Sequence, residues 1–468
     1  MKAQNAWKAD GLHNSLFCNR DPEKMRTVTF KGGVHPRYRK DISIREPLRK
    51  APLPETAVVP LSQHIGTPDE ALVKKGDHVS TGQPVGRSES YVSSVIHSPV
   101  SGEILGIKSS FHPAMGPMDA VYIKTDEEQE PLERVEQDTD SLSVEELIEK
   151  VRSAGIVGMG GAAFPTHVKL NVPEGKKIET LIINGAECEP FLTCDHIIMT
   201  KKTEEVLKGI GLLNRILSPE KIYIAVEDNK KASLFAFQKA LKEAGYKYPR
   251  NIETVALETK YPQGGEKQLI KAITGKEVPP GGLPMDVGCL VQNVGTIFAV
   301  YEAVYFNKPL IERVITVSGD CMYRPGNYLV RIGTTIRDIA EKFKIELFKE
   351  PAKIITGGPM MGISEPLLDV PVIKSTSGVL FLSDEAADNL EEGPCIKCAK
   401  CVDVCPVRLS PTEIMRQVKA GRWDKAADLF AQDCMECGSC AYICPSRIPL
   451  VQYIKQGKNE VMAKRRKA

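Results

Sequence analysis

The chain carries CIKCAKCVDVCP at residues 395–406 and CMECGSCAYICP at residues 434–445. Both runs read C-x2-C-x2-C-x3-C-P, a spacing with which thiolates bind [4Fe–4S] clusters in two-cluster domains, where the fourth cysteine of each run ligates the cluster of the other. The spacing therefore predicts one cluster on Cys395, Cys398, Cys401 and Cys444, and a second on Cys434, Cys437, Cys440 and Cys405. Two structural zinc sites are the alternative. Zinc favours ligands in two separated pairs, so two complete runs with trailing prolines favour iron–sulfur.

Outside these runs, the other cysteines show no ligand spacing, and we interpret them as ordinary buried thiols: Cys18, Cys188, Cys194, Cys289 and Cys321. Between the runs, Ser410 followed by Pro411 predicts a helix start, because proline suits the first helical position. The apolar spacing around Trp423, after a glycine break, predicts a second helix. The C-terminal part is thus expected to be a helical 2×[4Fe–4S] ferredoxin-like domain.

The length and composition of the chain exclude several classes of protein. The 468 residues suffice for several domains, and 62 Lys plus Arg against 60 Asp plus Glu give a net charge of +2. That balance argues against nucleic acid as a partner, because binders of a phosphate backbone show a basic excess. No apolar stretch reaches the length of a transmembrane helix, and the N-terminus lacks a signal-peptide core. We therefore expect a cytoplasmic chain that docks on other proteins.

A glycine-rich loop follows an acidic stretch. Residues 125–141, TDEEQEPLERVEQDTDS, predict a solvated linker. Ser143 with Glu146 then forms a capping box that starts a helix. The loop GIVGMGGAAFPTHVK spans residues 155–169, and its bare backbone N–H groups suit a phosphate, to which Lys169 would add a charge. The pattern differs from G-x-x-x-x-G-K-[ST], so ATP is not favoured.

Strand and helix patterns then alternate along the chain, which predicts a parallel sheet with helices on its faces. The predicted strands are 180–184, 221–228 and 252–257, and the predicted helices are 203–217, 230–245 and 265–275. Ligands of such sheets bind beyond the carboxyl ends of the strands. Asn184 ends one strand, and Gly264, Gly265 and Glu266 follow another, so these polar loops are expected to converge at one edge.

Here the residues resemble a known family. GMGGAAFPTHVK (158–169) and NGAECEP (184–190), with GGEKQLI and QNVGT further on, resemble the flavin loops of the NADH-binding subunit of respiratory complex I. The resemblance implies that FMN is bound, with a nicotinamide nucleotide placed against it. It implies FMN contacts from Gly158, Gly160, Gly161, Lys169, Asn184, Glu187, Gly265 and Asn293. Glu266 belongs to the same cofactor site, and Phe164 and Glu189 would face the nicotinamide nucleotide. Lys267 and Ala186 stand where that family has acidic residues. These two differences bear on the binding of the nicotinamide nucleotide more than on the binding of FMN.

The flanking segments resemble the RnfC component of the Rnf electron transport complex over roughly residues 28–455. The segments that carry this resemblance are FKGGVHP (30–36), PLSQHIGTP (60–68), VKKGDHVSTGQPVG (73–86), HSPVSGEI (97–104), GGLPMDVG (281–288) and GGPMMG (357–362). The resemblance implies a peripheral subunit on the cytoplasmic face of the inner membrane. Its complex transfers electrons between ferredoxin and NAD+ and couples this to Na+ or H+ transport. The implied partners are integral membrane subunits, a ferredoxin-like Fe–S subunit and NAD(H), with no nucleic acid.

We accordingly predict a multidomain α/β fold. The predicted parts are a flexible extension (1–29), a barrel-sandwich domain of the biotinyl or lipoyl type (30–130), a Rossmann-like FMN/NADH domain with a parallel sheet (142–310), a β-grasp, SLBB-like domain (311–385), the ferredoxin-like domain (386–455) and a basic tail (456–468). The barrel-sandwich part has Ser90 and Tyr91 where a carrier would hold its modified lysine, so we interpret it as a docking module.

The proposed cofactors fit together chemically, since hydride carries two electrons, a cluster carries one, and a flavin converts between the two. No acid–base catalytic residue is expected. Three alternatives stay open. They are a soluble FMN/Fe–S reductase such as a cobalamin reductase, an electron-relay scaffold without its own NADH site, and a redox sensor that only switches partners.

Overall fold

The computed structural model describes residues 27–130, 132–245, 247–387 and 391–467, with side chains described as far as 464. Most of the predicted extension at 1–29, including Cys18, lies outside the described residues. Within the described ranges, no helix is both long enough and apolar enough to cross a membrane.

The N-terminal part consists of short strands around a small apolar core. Its strands are β1 (Leu48–Lys50), β2 (Thr56–Pro60), β3 (Glu70–Ala71), β4 (His78–Val79), β5 (Pro84–Arg87), β6 (Ile96–His97), β7 (Gly102–His112) and β8 (Gly116–Thr125). One sheet has the order β2-β8-β7-β4 and a second has the order β3-β5-β6. Val59, Ile96, Ile104 and Val121 are fully or almost fully buried between them. Two sheets closed on one core are the expected barrel-sandwich arrangement.

The central part alternates helices and strands as predicted. Its elements are α1 (Val144–Ser153), α2 (Thr166–Leu170), β9 (Thr180–Gly185), α3 (Cys194–Lys201), α4 (Thr203–Leu217), β10 (Lys221–Glu227), α5 (Lys231–Glu243), β11 (Ile252–Leu257), α6 (Glu266–Thr274), a 3-10 turn (Pro284–Val287), β12 (Cys289–Asn293) and α7 (Val294–Phe306). Ser143 caps α1 through the predicted capping box with Glu146.

The central sheet is parallel throughout and has the order β11-β10-β9-β12. Its faces are covered by helices: Leu181 and Ile183 pack with residues of α4, α5 and α7, whereas Ile182 packs with residues of α6. The strand order reverses between β9 and β12, and parallel sheets bind ligands at such a reversal.

A mixed sheet follows, and β1 from the N-terminal part joins its edge. Its elements are β13 (Glu312–Gly319), β14 (Gly326–Arg331), α8 (Ile336–Lys342), β15 (Lys353–Thr356), β16 (Ile363–Ser364), β17 (Gly378–Leu382) and the short α9 (Asp384–Ala387). The order is β1-β14-β13-β17-β15-β16. Ile336 and Ile339 of α8, with Phe343 directly after it, are buried against this sheet.

The C-terminal part is helical, as expected. It contains α10 (Lys400–Asp403), α11 (Pro411–Lys419), α12 (Trp423–Asp428), a 3-10 turn (Ala431–Asp433), α13 (Ser439–Tyr442) and α14 (Leu450–Lys467). The boundary predicted between 455 and 456 falls inside α14, and Val461 is buried at 4% exposure.

The acidic stretch between β8 and α1 differs from the prediction of a solvated linker. Arg215 of α4 donates to the carbonyl oxygens of Thr139 and Leu142 at 2.7 and 2.8 Å, and the Gln137 N–H donates to the carbonyl of Tyr305 at 2.8 Å. The segment thus lies along the central domain through its backbone and also through an ion pair, since Glu136 Oε1 lies 3.2 Å from Lys208 Nζ.

Candidate functional site

The reversal point of the parallel sheet carries two asparagines. Asn184 at the end of β9 lies opposite Asn293 at the end of β12. Asn184 Nδ2 donates to the carbonyl of Gly264 at 2.9 Å, and its Oδ1 accepts from the Ala186 N–H at 3.0 Å. Asn293 caps α7, because its Oδ1 accepts from the N–H groups of Gly295 and Thr296. The predicted loops therefore converge at this edge.

The glycine-rich loop lies over this point and is anchored at both ends. The Gly158 N–H donates to the carbonyl of Phe164 at 2.8 Å, and the Met159 N–H donates to Thr296 Oγ1 at 2.9 Å. A Cβ added at Gly160 would lie 3.0 Å from Asn293 Cβ, whereas one added at Gly161 would meet nothing within 4 Å. The loop thus presents exposed backbone over free space, a cradle that suits the phosphate of FMN.

A lysine and a helix N-terminus border this cradle. Lys169 Nζ donates to Glu266 Oε1 and to the carbonyl of Val291, both at 2.6 Å. Glu266 is the first residue of α6, and Gly265 is its N-cap. The Lys169 side chain is 25% exposed. A cation and the positive end of a helix on one side of the cradle favour an anionic ligand.

Two acids lie below the loop. Glu187 is 7% exposed, and its Oε1 accepts from the Asp195 N–H at 2.8 Å. Asn293 Nδ2 donates to Asp195 Oδ2 at 2.7 Å. Burial, followed by the charge of Glu187, raises the pKa of Asp195 to about 7. The sequence analysis missed Asp195; its one signal is an acid isolated in the apolar stretch FLTCDHIIM.

Glu189 and Phe164 are the two residues that the resemblance assigns to the nicotinamide nucleotide. Glu189 Oε2 and Oε1 accept from the N–H groups of Met360 and Met361 at 3.0 and 2.9 Å. Burial raises the pKa of Glu189 to about 7 against these hydrogen bonds. The structure therefore joins Glu189 to the GGPMMG loop at 357–362. Phe164 is 36% exposed on the glycine-rich loop, and a role for either residue toward a nicotinamide nucleotide stays a prediction.

The second cysteine run and Cys405 line one cavity. Cys405, Cys434, Cys437 and Cys440 line one pocket, together with the apolar side chains of Val451 and Ile454. Burial raises the pKa of Cys434 to about 11, with Cys437 and Cys405 among the neighbours that raise it further. The Leu409 N–H donates to Cys405 Sγ at 3.3 Å and the Glu436 N–H donates to Cys434 Sγ at 3.4 Å. Four thiols that line one pocket, with backbone N–H groups that donate to two of them, fit the ligand set of a [4Fe–4S] cluster.

The first run is more open. Cys395 and Cys398 are exposed, Cys401 is buried and Cys444 is half-buried. Burial raises the pKa of the Cys401 thiol, and Cys444 contributes to this rise. The structure thus places Cys444 near the first run, as the predicted exchange of fourth ligands requires. In the described part of the chain, no three His, Cys, Asp or Glu side chains are grouped so that they could hold a single metal ion.

The cavity of the second run lies against the edge that carries the cradle. A Cβ added at Gly265 would lie 2.9 Å from Met435 Cε, and the Tyr261 hydroxyl donates to the carbonyl of Cys437 at 2.7 Å. The Gly33 N–H donates to the carbonyl of Val404 at 2.8 Å. The sheet edge that carries the cradle and the loop of the second cysteine run are therefore in direct contact.

Comparison with known proteins supports this picture. The chain is 43% identical to the C subunit of the Na(+)-translocating ferredoxin:NAD(+) oxidoreductase complex of Acetobacterium woodii, over 94% of this chain and 98% of that protein. It is also 43% identical to the C subunit of the proton-translocating ferredoxin:NAD(+) oxidoreductase complex of Clostridium ljungdahlii, over 82% and 83% of the two chains. The chain belongs to the RnfC family. A third relative, the C subunit of the ion-translocating oxidoreductase complex of Haemophilus influenzae, is 42% identical over 92% of this chain and 66% of that protein.

Family models match successive parts of the chain. They are the RnfC barrel sandwich hybrid domain (28–128), the Nuo51 FMN-binding domain (151–302), the SLBB domain (314–342) and the 4Fe-4S dicluster domain (394–449). The expected FMN-binding and dicluster domains of this RnfC family member are thereby confirmed, as is its barrel-sandwich domain; the finer boundaries stay predictions. Among solved structures, NAD+-reducing [NiFe]-hydrogenase in the H2-reduced state aligns with a TM-score of 0.49 at 18% identity, over 70% of this chain and 62% of that chain.

Proposed function

We propose that this RnfC family member exchanges hydride between NAD(H) and FMN and passes single electrons through two [4Fe–4S] clusters. It does so within a ferredoxin:NAD+ oxidoreductase complex that couples electron transfer to Na+ or H+ translocation. The similarity to named members of such complexes over most of the chain supports this proposal.

The cradle residues would hold FMN. Gly158, Gly160 and Gly161 would offer backbone N–H groups, Lys169 would contribute its charge, and Asn184 and Asn293 would fix the strand ends below. Bound there, FMN supplies the conversion between two-electron and one-electron transfer. The Lys169 ammonium group is paired with the Glu266 carboxylate, and this pairing reduces its attraction for an incoming phosphate.

The cysteines would hold the clusters in the two predicted sets. The set Cys434, Cys437, Cys440 and Cys405 lies against the flavin edge through Met435 and Tyr261. The set Cys395, Cys398, Cys401 and Cys444 includes the exposed thiols. The single observation that carries the proposal is this direct contact between the cradle edge and the second cysteine loop, because short distances favour electron transfer between them.

The expected partners are integral membrane subunits and a ferredoxin-like Fe–S subunit, on the cytoplasmic face of the inner membrane. The exposed thiols of the first set, Cys395 and Cys398, lie where a partner would exchange electrons with that cluster. The barrel-sandwich domain, which has no lysine at the carrier position, would serve as a docking module.

An anaerobic titration tests the proposal. The chain is reconstituted with iron, sulfide and FMN, and its visible spectrum is recorded before and after addition of NADH. Loss of the flavin band together with broad bleaching of the clusters is expected. If dithionite bleaches the clusters while NADH changes nothing, an electron-relay scaffold without its own NADH site is the better description. Reduction of cob(II)alamin by the isolated, NADH-reduced chain would instead support a soluble cobalamin reductase.

A further inference from the structure

The barrel-sandwich domain reaches the glycine-rich loop through the segment in which a lipoyl- or biotinyl-type carrier would hold its modified lysine. In this chain the segment spans residues 88–95 and has Ser90 and Tyr91 at that position. It is closed by its own hydrogen bonds, since Ser93 Oγ donates to the carbonyl of Ser90 at 2.5 Å and the Ser90 N–H donates to Ser88 Oγ at 3.2 Å. The domain therefore presents Tyr91 from a hydrogen-bonded turn.

Tyr91 contacts the short helix α2, which follows the glycine-rich loop. The carbonyl of Tyr91 accepts from His167 Nε2 at 3.1 Å, and its hydroxyl accepts from Asn171 Nδ2 at 2.7 Å. The rings of Tyr91 and His167 meet edge to face, with their centroids 5.7 Å apart. Because Asn171 is the C-cap of α2, a single residue of the barrel-sandwich domain holds the helix near its start and at its end.

Helix α2 carries the cation of the cradle. Lys169 lies between His167 and Asn171, and its Nζ donates to Glu266 Oε1 and to the carbonyl of Val291, both at 2.6 Å. These acceptors hold the tip of the Lys169 side chain, whereas its backbone belongs to the helix that Tyr91 contacts. A displacement of α2 would therefore move the ammonium group relative to the cradle.

The same domain contacts the glycine-rich loop at two further points. The Ile65 N–H donates to the carbonyl of Ala163 at 3.3 Å. Ala163 has a φ of 52°, a left-handed conformation that a residue with a side chain keeps only where its surroundings hold it. At the start of the loop, the buried Lys374 Nζ joins the carbonyl oxygens of Val95 and Gly155, at 2.7 and 2.8 Å. The loop is thus supported at its start, in its middle and at the helix that follows it.

We propose that Tyr91 is a positioning residue of the flavin site, which holds α2 so that the Lys169 ammonium group is placed for the phosphate of FMN. This inference rests on the proposed FMN site. Tyr91 acts through His167 and Asn171 and not by contact with the flavin, so its effect on binding depends on Lys169 and on the phosphate. The barrel-sandwich domain is then a structural part of the flavin site as well as a docking module.

Titration of the flavin-free, cluster-loaded chain with FMN and with riboflavin, which lacks the phosphate, tests the inference. Tyr91 is 48% exposed, so Tyr91→Ala removes no core side chain. It removes the ring and the hydroxyl that contact α2. We expect the dissociation constant for FMN to rise about fivefold, the size of effect that a lost hydrogen bond gives. The affinity for riboflavin and the iron content should equal those of the parent chain.

A double-mutant cycle shows whether Tyr91 acts through Lys169. In the Lys169→Met background, Tyr91→Ala should cause no further loss of FMN affinity, because the group that it positions is absent. Tyr91→Ala alone should also reduce the salt dependence of FMN binding, in the same direction as Lys169→Met. A general loss of stability would instead weaken FMN and riboflavin binding together and would add to the effect of Lys169→Met.

Tyr122→Ala is the matched control, because Tyr122 is a partly exposed tyrosine of the same domain. Its hydroxyl donates to the carbonyl of Ser109 at 3.4 Å and its ring lies 5.5 Å from the Lys108 ammonium group, so these contacts stay within the hairpin of β7 and β8. This variant should bind FMN like the parent chain. If Tyr91→Ala does not fold, Tyr91→Phe and Asn171→Ala still decide, since each removes the hydrogen bond between the two side chains and should show a smaller effect of the same kind.

Three outcomes would overturn the inference. They are equal FMN affinity in Tyr91→Ala and the parent chain, additive losses in the double variant, and an equal loss of affinity for FMN and riboflavin. Each of them leaves the FMN site intact and returns the barrel-sandwich domain to a docking role alone. Absence of FMN binding by the parent chain itself removes the proposed function instead.

Discussion

Substitution of Gly161 by alanine separates the stability of the cradle from its ability to bind FMN. A Cβ at Gly161 meets no protein atom within 4 Å, and Gly161 is not among the glycines with positive φ. The fold should therefore accept the methyl group. Stability should even rise by about 0.4–1 kcal/mol, because alanine restricts the unfolded chain. The free space, however, is where a phosphate would approach the backbone.

The substitution is therefore expected to weaken FMN binding without destabilising the fold. A methyl carbon in that space keeps phosphate oxygens from hydrogen-bond distance, and we expect FMN affinity to fall at least tenfold, or about 1.4 kcal/mol. Thermal unfolding of the flavin-free chain and fluorescence titration with FMN measure the two effects. Gly211→Ala is the matched control, because its Cβ also meets nothing within 4 Å but lies on helix α4. Unchanged FMN affinity in Gly161→Ala would refute the assignment of the cradle.

Three further predictions follow from the site. Cys405→Ala should remove the second cluster and Cys444→Ala the first, so iron content should fall to about half in both while the electron paramagnetic resonance spectra differ; loss of the same cluster in both would contradict the exchange of fourth ligands. Tyr261→Phe should cost about 1–2 kcal/mol of unfolding free energy and slow NADH-driven bleaching of the clusters, because the buried carbonyl of Cys437 loses its donor; an unchanged bleaching rate in stopped flow would show that this contact does not matter for transfer. Lys169→Met should weaken FMN binding and reduce its salt dependence, since an ammonium leaves the cradle; equal salt dependence in variant and parent would place the phosphate elsewhere.

Local patterns predicted the elements of the central sheet well. Helix α4 and strand β11 have the predicted bounds, 203–217 and 252–257, because each has a clear hydrophobic period that ends at a polar or turn residue. The predicted convergence of Asn184 with Gly264 also follows from local signals, whereas Asn293 was implied only by the family resemblance. Parallel strands place their carboxyl ends at one edge, so residues that follow each strand must approach one another there.

Tertiary contacts account for what the patterns missed. The acidic stretch before α1 was expected to be solvated, but Arg215 holds its carbonyl groups, and backbone contacts of this kind leave no trace in side-chain charge. Glu189 accepts hydrogen bonds from a loop about 170 residues further along the chain, a contact that local sequence does not signal, and its expected role toward the nicotinamide nucleotide stays a prediction. Asp195 was not predicted, because its contacts are with Glu187 and Asn293, which other segments of the chain supply.

The two cysteine runs share the spacing of their cysteines and proline but have different surroundings. Their backbones match in detail, with positive φ at Lys397 and Ala399 in the first run and at Glu436 and Gly438 in the second. The difference is that a Cβ added at Gly438 would lie 2.8 Å from the carbonyl of Met360, which belongs to the loop that also holds Glu189. Only a residue without a side chain fits that close approach, so Gly438 lets the second run pack against the loop that contains Met360. The run with Ala399 has no such requirement, and its first two thiols stay exposed. Glycine at the left-handed position of the second run thus permits the close approach of Met360, whereas the first run has Ala399 at the corresponding position.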